Sequence, residues 1–133
     1  MPSFRLEIVT PQKQVYAGQV ERLQAPGSEG SFGVLAGHVP FLTSLKTGQL
    51  TFAEEGGLLR KMALSGGFAE VGGDHVAVLA ETAELAEEID VARARAARDR
   101  ALERLAQREG IDLARARAAL ARALNRLSAS GTA

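Results

Sequence analysis

Residues 49–79 read QLTFAEEGGLLRKMALSGGFAEVGGDHVAVL, and glycine-rich turns divide this stretch into short runs rich in apolar residues. One turn is EEGG at residues 54–57, and another is GGD at residues 72–74. Because glycine supplies the positive φ angles that tight hairpins need, both turns predict antiparallel pairs of strands. We interpret SGG at residues 65–67 as a further turn.

The N-terminal residues also favour β-structure. Phe4, Leu6 and Ile8 alternate with Arg5 and Glu7, which is the period-2 pattern of a half-buried strand. Many short strands joined by glycine turns indicate a β-sandwich or a flattened barrel.

The composition changes near residue 74. Twelve of the 14 glycines and all four prolines lie before that position. From Ile89 to Leu127 the strong helix formers Ala, Arg, Leu and Glu dominate, and the break at Gly110, with Asp112 as an N-cap, predicts two helices. We therefore predict an α+β protein, with an antiparallel β-sandwich or flattened barrel at residues 1–87 and a two-helix antiparallel hairpin at residues 88–133.

The overall composition limits the functional classes. The chain has 133 residues, 46% hydrophobic and 24% charged, as in ordinary globular proteins, and the lack of cysteine excludes disulfides and thiolate metal sites. A formal net charge of zero argues against general nucleic-acid binding. Residues 1–87 nevertheless carry 6 basic and 10 acidic residues, whereas residues 88–133 carry 10 basic and 6 acidic ones, so an acidic first part is joined to a basic second part.

The sequence contains neither the pattern of a secretion signal nor an apolar stretch of the roughly 20 residues that span a bilayer. We expect a soluble, intracellular protein without direct membrane insertion. If it acts at a membrane, another protein must hold it there.

Helical periodicity predicts one apolar stripe on each helix. The apolar positions of the two stripes are Val91, Leu102 and Leu105 on the first helix, and Leu113, Leu120, Leu124 and Leu127 on the second. Both stripes are narrow and alanine-rich, so the hairpin should bury little area and be only marginally stable alone. A mobile regulatory element and a permanently docked hairpin are both compatible with this pattern.

Arginines follow the opposite face of each helix. They are Arg93, Arg100 and Arg104 on the first helix, and Arg115, Arg122 and Arg126 on the second. One interpretation is a solvated face whose charges pair with nearby acids such as Asp99 and Glu103. The other is an anion site, because guanidinium groups match the geometry of phosphate and carboxylate. The spacing alone leaves both open.

No catalytic constellation is present in the sequence. The only histidines are His38 and His75, and neither has a sequence neighbour that would form a catalytic pair. Zinc-protease, paired-histidine and P-loop motifs are absent, and Ser65 lacks the flanking residues of a nucleophile elbow. We predict a non-catalytic protein without a metal site.

Four segments in this order resemble the epsilon subunit of bacterial F-type proton-translocating ATP synthases. They are IVTP at residues 8–11, GVLAGHVP at residues 33–40, LSGGFAEV at residues 64–71, and the helical stretch of residues 84–127. The resemblance covers nearly the whole chain. It implies a sandwich of about ten strands followed by a helical hairpin.

The resemblance also implies a role and partners. In that family the sandwich binds the gamma subunit and sits on the ring of c subunits at the cytoplasmic face of the bacterial membrane, as a peripheral part of the F1 complex. The hairpin folds against the sandwich or extends toward the catalytic alpha and beta subunits, where it inhibits ATP hydrolysis. Basic hairpin residues would then meet acidic segments of the beta subunit, in line with the charge asymmetry.

Some family members bind ATP on the folded hairpin through an I/L-D-x-x-R-A motif, which IDVARA at residues 89–94 matches. The resemblance implies an ATP site in which some residues line an adenine pocket and others face the phosphates. The adenine set is Glu84, Ile89, Asp90 and Ala94, and the phosphate set is Arg93, Arg100, Arg122 and Arg126. ATP would be a regulatory ligand, with no cofactor required; inhibition without nucleotide sensing is the alternative.

The loop expected to face the c ring departs from the family pattern. Where relatives often carry Gly-Glu-Leu-Gly, this chain has Gly30, Ser31, Phe32 and Gly33, so the acidic residue is missing. The resemblance then implies a contact made by the backbone and His38 rather than by an ion pair.

Two other functions are compatible with the sequence. One is a nucleotide-sensing module, of the same sandwich and hairpin, in another assembly. The other is an unrecognised enzyme, which the missing catalytic groups disfavour.

Overall fold

The computed structural model describes residues 2–107 and 110–131. It contains seven strands, which are β1 (Phe4–Val9), β2 (Gln14–Gly27), β3 (Gly30–Leu35), β4 (Phe41–Leu45), β5 (Gly48–Glu54), β6 (Leu59–Val71) and β7 (His75–Leu85). A single 3-10 turn (Ala86–Glu88), here called the linker turn, leads to α1 (Val91–Gln107) and α2 (Leu113–Ala129).

The strands form a flattened barrel. Hydrogen-bonded neighbours run from β1 through β7, β6, β5 and β2 back to β1, and β3 and β4 extend the sheet on β2 and β6. All of these pairs are antiparallel except β1 with β7. The predicted α+β class, a flattened barrel followed by a helical hairpin, is confirmed.

The described residues contain seven strands rather than about ten, because three strands are long. β2, β6 and β7 have 14, 13 and 11 residues. The first half of β2 pairs with β1, and its second half pairs with β3 and β5. A single long strand, β2, therefore pairs first with β1 and then with β3 and β5, which lowers the number of strands.

The interpretation of the SGG segment as a turn was wrong. Gly66 and Gly67 lie inside β6, with φ angles of 59° and 123°. A Cβ added at Gly67 would overlap the carbonyl oxygen of Leu79 on β7. Glycine is therefore needed here for close strand approach and for a left-handed backbone, not for a chain reversal.

The two predicted hairpin turns are present. Gly56 and Gly57 have φ angles of 95° and 91°, as expected. The second turn closes differently, since neither Gly72 nor Gly73 is in the left-handed region and the Gly72 N–H donates to the His75 carbonyl at 2.7 Å.

The core fills the barrel. The alternation at the N-terminus is confirmed, because Phe4, Leu6 and Ile8 are all buried. They pack in one cluster with Phe52 and Met62 from β5 and β6.

The hairpin begins and ends largely where the sequence predicts. Gly110 has a φ angle of 67°, and the Asp112 side chain accepts a hydrogen bond from the Arg115 N–H at 3.1 Å, which caps α2. Arg108 and Glu109, part of the predicted break, lie outside the described residues.

The predicted leucine stripes are wrong in part. Leu102 and Leu124 are 48% and 47% exposed. The buried positions of the helices are instead mostly alanines, namely Ala94 and Ala101 on α1, and Ala116, Ala123, Leu127 and Ala129 on α2. Because alanine lets two helices approach closely, the interface selects the small residues and leaves these two leucines in solvent.

The hairpin docks on the barrel mainly through α2. The Asn125 Nδ2 donates to the carbonyls of Gly48 and Leu64 at 2.9 and 3.3 Å, and the Gln49 Nε2 donates to the Ser128 Oγ at 2.8 Å. Beside them lies a small apolar cluster of Ala63, Ile89 and Ala129. Since two of these three side chains are alanines, the cluster contributes only a modest free energy of docking.

A polar network holds the linker turn to the barrel. The Arg60 guanidinium donates to Glu54 at 3.0 Å and to Glu87, in the linker turn, at 2.6 Å. The Tyr16 hydroxyl donates to the other Glu54 oxygen at 3.0 Å. The Arg60 and Tyr16 hydrogen bonds hold the pKa of the Glu54 carboxyl below its usual value.

Tyr16 gives this network a clean spectroscopic reporter, because it is the only tyrosine of the chain. Burial, reinforced by the hydrogen bond to Glu54, raises its pKa to about 12. The folded state thus favours the neutral phenol, so its contribution to stability is complete below about pH 10 and is lost as the pH rises through about 12. We expect absorbance at 295 nm to show a native midpoint well above the midpoint in urea.

A matched pair of variants checks the cause of this shift. Glu54→Gln should lower the native midpoint, whereas Glu55→Gln, on the adjacent residue, should leave it in place. A native midpoint near 10 in the unaltered chain would contradict the network.

Candidate functional site

A groove of about 590 Å³ lies between the barrel and the hairpin. Its walls come from three parts of the chain. The lining residues are Thr10, Gln12 and Lys13 from the turn between β1 and β2, Thr82, Ala83 and Glu84 from β7, and Asp90, Arg93, Ala94, Ala97, Arg100 and Arg126 from the hairpin and its start.

Six of the eight residues that the resemblance assigns to an ATP site line this groove, namely Glu84, Asp90, Arg93, Ala94, Arg100 and Arg126. The other two lie elsewhere. Ile89 is buried with Ala63 and Ala129, and Arg122 lines a small adjoining cavity that it shares with Arg126.

Asp90 and Ile89 also have structural roles. The Asp90 Oδ1 accepts from the Arg93 N–H at 3.0 Å, and the Asp90 carbonyl accepts from the Ala94 N–H at 3.0 Å. These bonds cap the start of α1 and fix the backbone from which Arg93 projects. Ile89 anchors the same segment to the barrel through its apolar contacts. The IDVARA segment therefore builds the rim of the groove.

The charges of the groove favour an anion. Four basic side chains and two acidic ones line it. Arg126 and Glu84 neutralise each other through an ion pair of 2.5 Å. Within residues 2–107 and 110–131, Lys13, Arg93 and Arg100 form no ion pair, so three positive charges remain available to a ligand.

The arginine faces of the two helices do not act as one surface. Arg104 and Arg115 line a separate groove of about 330 Å³ near the tip of the hairpin, beside Gly110 and Asp112. Arg93, Arg100 and Arg126 lie at the barrel end. Two distinct basic regions result.

Sequence reasoning found Glu84 on β7 but missed the rest of the barrel's contribution to the groove. Gln12, Lys13 and Thr82 belong to no motif, and Thr10 lies in the IVTP segment, which carries no expectation of ligand binding; Thr10, Gln12 and Lys13 are about 80 residues from Arg93 in the chain. Only the pairing of β1 with β7 brings them there, because Val9, the last residue of β1, lies beside Leu79 and β7 then continues to the groove.

Of the residues expected to face the c ring, Ser31 and Phe32 lie in β3, and His38 lies in the loop that follows it. Phe32 and His38 both pack against Phe41, with ring centroids 5.4 and 5.2 Å apart. Ser31 is held separately, since its hydroxyl donates to the Ala25 carbonyl at 3.4 Å. The structure thus brings Phe32 and His38 together on one aromatic ring.

Two further properties concern the described part of the chain alone. Neither helix in it is long and apolar enough to cross a bilayer. The same residues contain no cluster of three histidine or carboxylate side chains arranged to hold a metal ion.

Two family models match the chain. The beta-sandwich domain of the ATP synthase delta/epsilon chain matches residues 3–86, and the long alpha-helix domain of the same family matches residues 87–131. An ATP synthase epsilon chain from Brevibacillus brevis is 49% identical over 108 residues, covering 81% of this chain and 82% of that protein. One from Nitratidesulfovibrio vulgaris is 54% identical over 105 residues, covering 79% and 78%.

Solved structures agree in fold. A chain of the Euglena gracilis mitochondrial ATP synthase, determined with OSCP, F1 and the c-ring, superposes with a TM-score of 0.78 at 26% identity, covering 98% of this chain and 82% of that one. A chain of the Tetrahymena thermophila mitochondrial ATP synthase central stalk and c-ring gives a TM-score of 0.61 at 15% identity, with 97% of each chain covered. The second likeness concerns the fold alone.

Proposed function

The chain belongs to the family of ATP synthase delta/epsilon chains, and on this premise we propose that it is a non-catalytic central-stalk subunit whose hairpin binds ATP and restrains ATP hydrolysis. This family membership confirms the resemblance to epsilon subunits that the four ordered segments indicated. The observation that carries the nucleotide part is the groove, where three basic side chains, without an ion pair among the described residues, lie beside the capped start of α1.

The barrel is the anchor in this proposal, and the apolar outer face of β4, β6 and β7 is the surface for the gamma subunit. Leu42, Phe68 and Leu79 are each more than half exposed and share the outward face of these neighbouring strands. Exposed apolar side chains grouped in this way are typical of protein interfaces. An exposed apolar surface of this kind suits a partner that remains permanently bound.

The loop with Ser31, Phe32 and His38 would face the ring of c subunits. Residues 30–33 contain no acidic side chain. Phe32 and His38, packed on Phe41, instead offer an aromatic surface with one polar edge. Such a contact would hold the chain as a peripheral component at the cytoplasmic face of a bacterial membrane.

The hairpin is the regulatory element, so the proposed division is residues 1–87 for anchoring and residues 88–133 for control. Its basic tip, with Arg104 and Arg115, suits acidic segments of the catalytic alpha and beta subunits when the hairpin extends. ATP in the groove would oppose extension, because barrel residues and hairpin residues form its two sides.

A deletion tests the regulatory role. A chain without residues 88–133 should still assemble into the complex, because the hydrophobic core lies within the barrel. The deletion should raise ATP hydrolysis by roughly fivefold, which is the low end of typical coupling between sites. The measurement is steady-state ATPase activity of the purified complex, with Arg95→Ala in the full chain as a control that keeps the hairpin.

Recovery of partners tests the assignment to the stalk. A tagged chain purified from its own cells should bring down gamma and c subunits. Recovery of a different assembly, without them, would favour a nucleotide-sensing module elsewhere, and turnover by the purified chain alone would favour an enzyme. An ATPase rate unchanged by the deletion would contradict control of hydrolysis.

A further inference from the structure

We propose that Lys13, in the turn between β1 and β2, is a phosphate-binding residue, so that the polyphosphate of a nucleotide bridges the barrel and the hairpin. The inference rests on the proposed nucleotide site and adds a contact that the motif residues do not include. Lys13 lines the groove with Arg93 and Arg100, although it belongs to the barrel.

The turn that carries Lys13 is well ordered by its own hydrogen bonds. The Thr10 N–H donates to the Lys13 carbonyl at 2.9 Å, and the Lys13 N–H donates to the Thr10 hydroxyl at 3.3 Å. β1 is itself held on both sides, by β2 and by β7. The backbone of Lys13 is therefore fixed, and only its exposed side chain has to be ordered when a ligand binds.

The acids of the groove are already engaged. Glu84 pairs with Arg126, and the Asp90 carboxylate caps α1. Within the described ranges Lys13 forms no ion pair with either of them. The ammonium group of Lys13 is therefore open to an anionic ligand at this position.

The chemistry of the cations suggests the ligand class. Arg93 and Arg100 present planar guanidinium groups from α1, and Lys13 presents a compact ammonium group on a flexible stem from the facing turn. A single phosphate would be bound by one side, whereas a chain of two or three phosphates offers oxygens to both. Nucleoside di- or triphosphates therefore fit better than monophosphates.

The bridging contact has a consequence for regulation. A ligand held by Lys13 on the barrel and by Arg93 on the hairpin binds well only while the two are docked. By linkage, the ligand stabilises the docked hairpin by the same free energy that docking adds to ligand affinity.

Calorimetric titration of the full-length chain with ATP tests the proposal. Lys13→Ala should weaken ATP binding by about tenfold, the size expected for one charge-assisted contact at an exposed site. Lys13→Arg should restore most of the affinity, which a merely structural role would not explain. Lys46→Ala, an exposed lysine that does not line the groove, is the matched control and should leave the affinity unchanged.

Each outcome decides something different. Affinity within twofold of the unaltered chain for Lys13→Ala would overturn the role of Lys13 while leaving the nucleotide site intact. Absence of saturable heat with the unaltered chain at millimolar ATP would overturn the nucleotide site itself, and the bridge with it. Equal losses for Lys13→Ala and Lys46→Ala would reduce the effect to net charge and contradict a specific contact.

Discussion

The double variant Arg93→Ala/Arg100→Ala is expected to bind ATP at least about 100-fold more weakly than the unaltered chain, because it removes two charge-assisted contacts to phosphate. Both arginines line the groove, and neither forms an ion pair within the described residues. Their replacement therefore leaves no acid without a partner, and the barrel should unfold at the same denaturant concentration. Titration calorimetry and urea unfolding measure the two effects separately.

A second double variant separates location from charge. Arg95→Ala/Arg117→Ala removes the same charge from exposed positions of the hairpin, one on α1 and one on α2, away from the groove. It should change ATP affinity by less than about threefold, since charges in solvent are screened at physiological salt. If both double variants lose affinity equally, the groove is not the site and attraction by the whole basic hairpin explains the binding.

Much of the fold was predictable because local rules act within a few residues. The alternation of Phe4, Leu6 and Ile8 and the N-cap at Asp112 depend only on neighbours in the chain, and both predictions were confirmed. The four ordered segments also sufficed to identify the family.

Tertiary contacts decided what the sequence did not predict. Gly66 and Gly67 have the local pattern of a turn, but the strand continues through them because β7 lies against Gly67. Leu102 looked like a core residue by periodicity, yet the helices meet along alanines. Periodicity identifies a face of a helix, whereas the partner decides which residues of that face it can accommodate.

The candidate site was predictable to a similar extent. A short motif located the residues at the start of α1, since they are adjacent in sequence. The contribution of Lys13 depends on the parallel pairing of β1 with β7, and no periodicity in the chain encodes that pairing. The sequence alone also did not separate Arg104 and Arg115 from the arginines of the groove.

The contacts at the docking interface explain how the hairpin can remain folded and yet be released. The apolar contribution is small, so specificity depends on polar groups that fit only in the docked position. Asn125 is central among them, because one amide group satisfies two carbonyls on β5 and β6. Those carbonyls lie at Gly48 and Leu64, where the two strands pair with each other. The interface can therefore be weakened at a single residue without altering the barrel core.

Asn125→Asp is expected to release the hairpin, because a carboxylate of nearly the same shape would place negative charge against the carbonyls of Gly48 and Leu64. Losing both donated bonds and setting a part-buried carboxylate against two carbonyl oxygens costs about 3 kcal/mol, which corresponds to roughly 100-fold faster hydrogen exchange in α1 and α2. Amide protons of β6 and β7 should keep their protection. Gln14→Glu makes the same change of amide to carboxylate at an exposed position of β2 and should alter neither region. Unchanged protection of α2 in Asn125→Asp would mean that Asn125 does not hold the hairpin on the barrel.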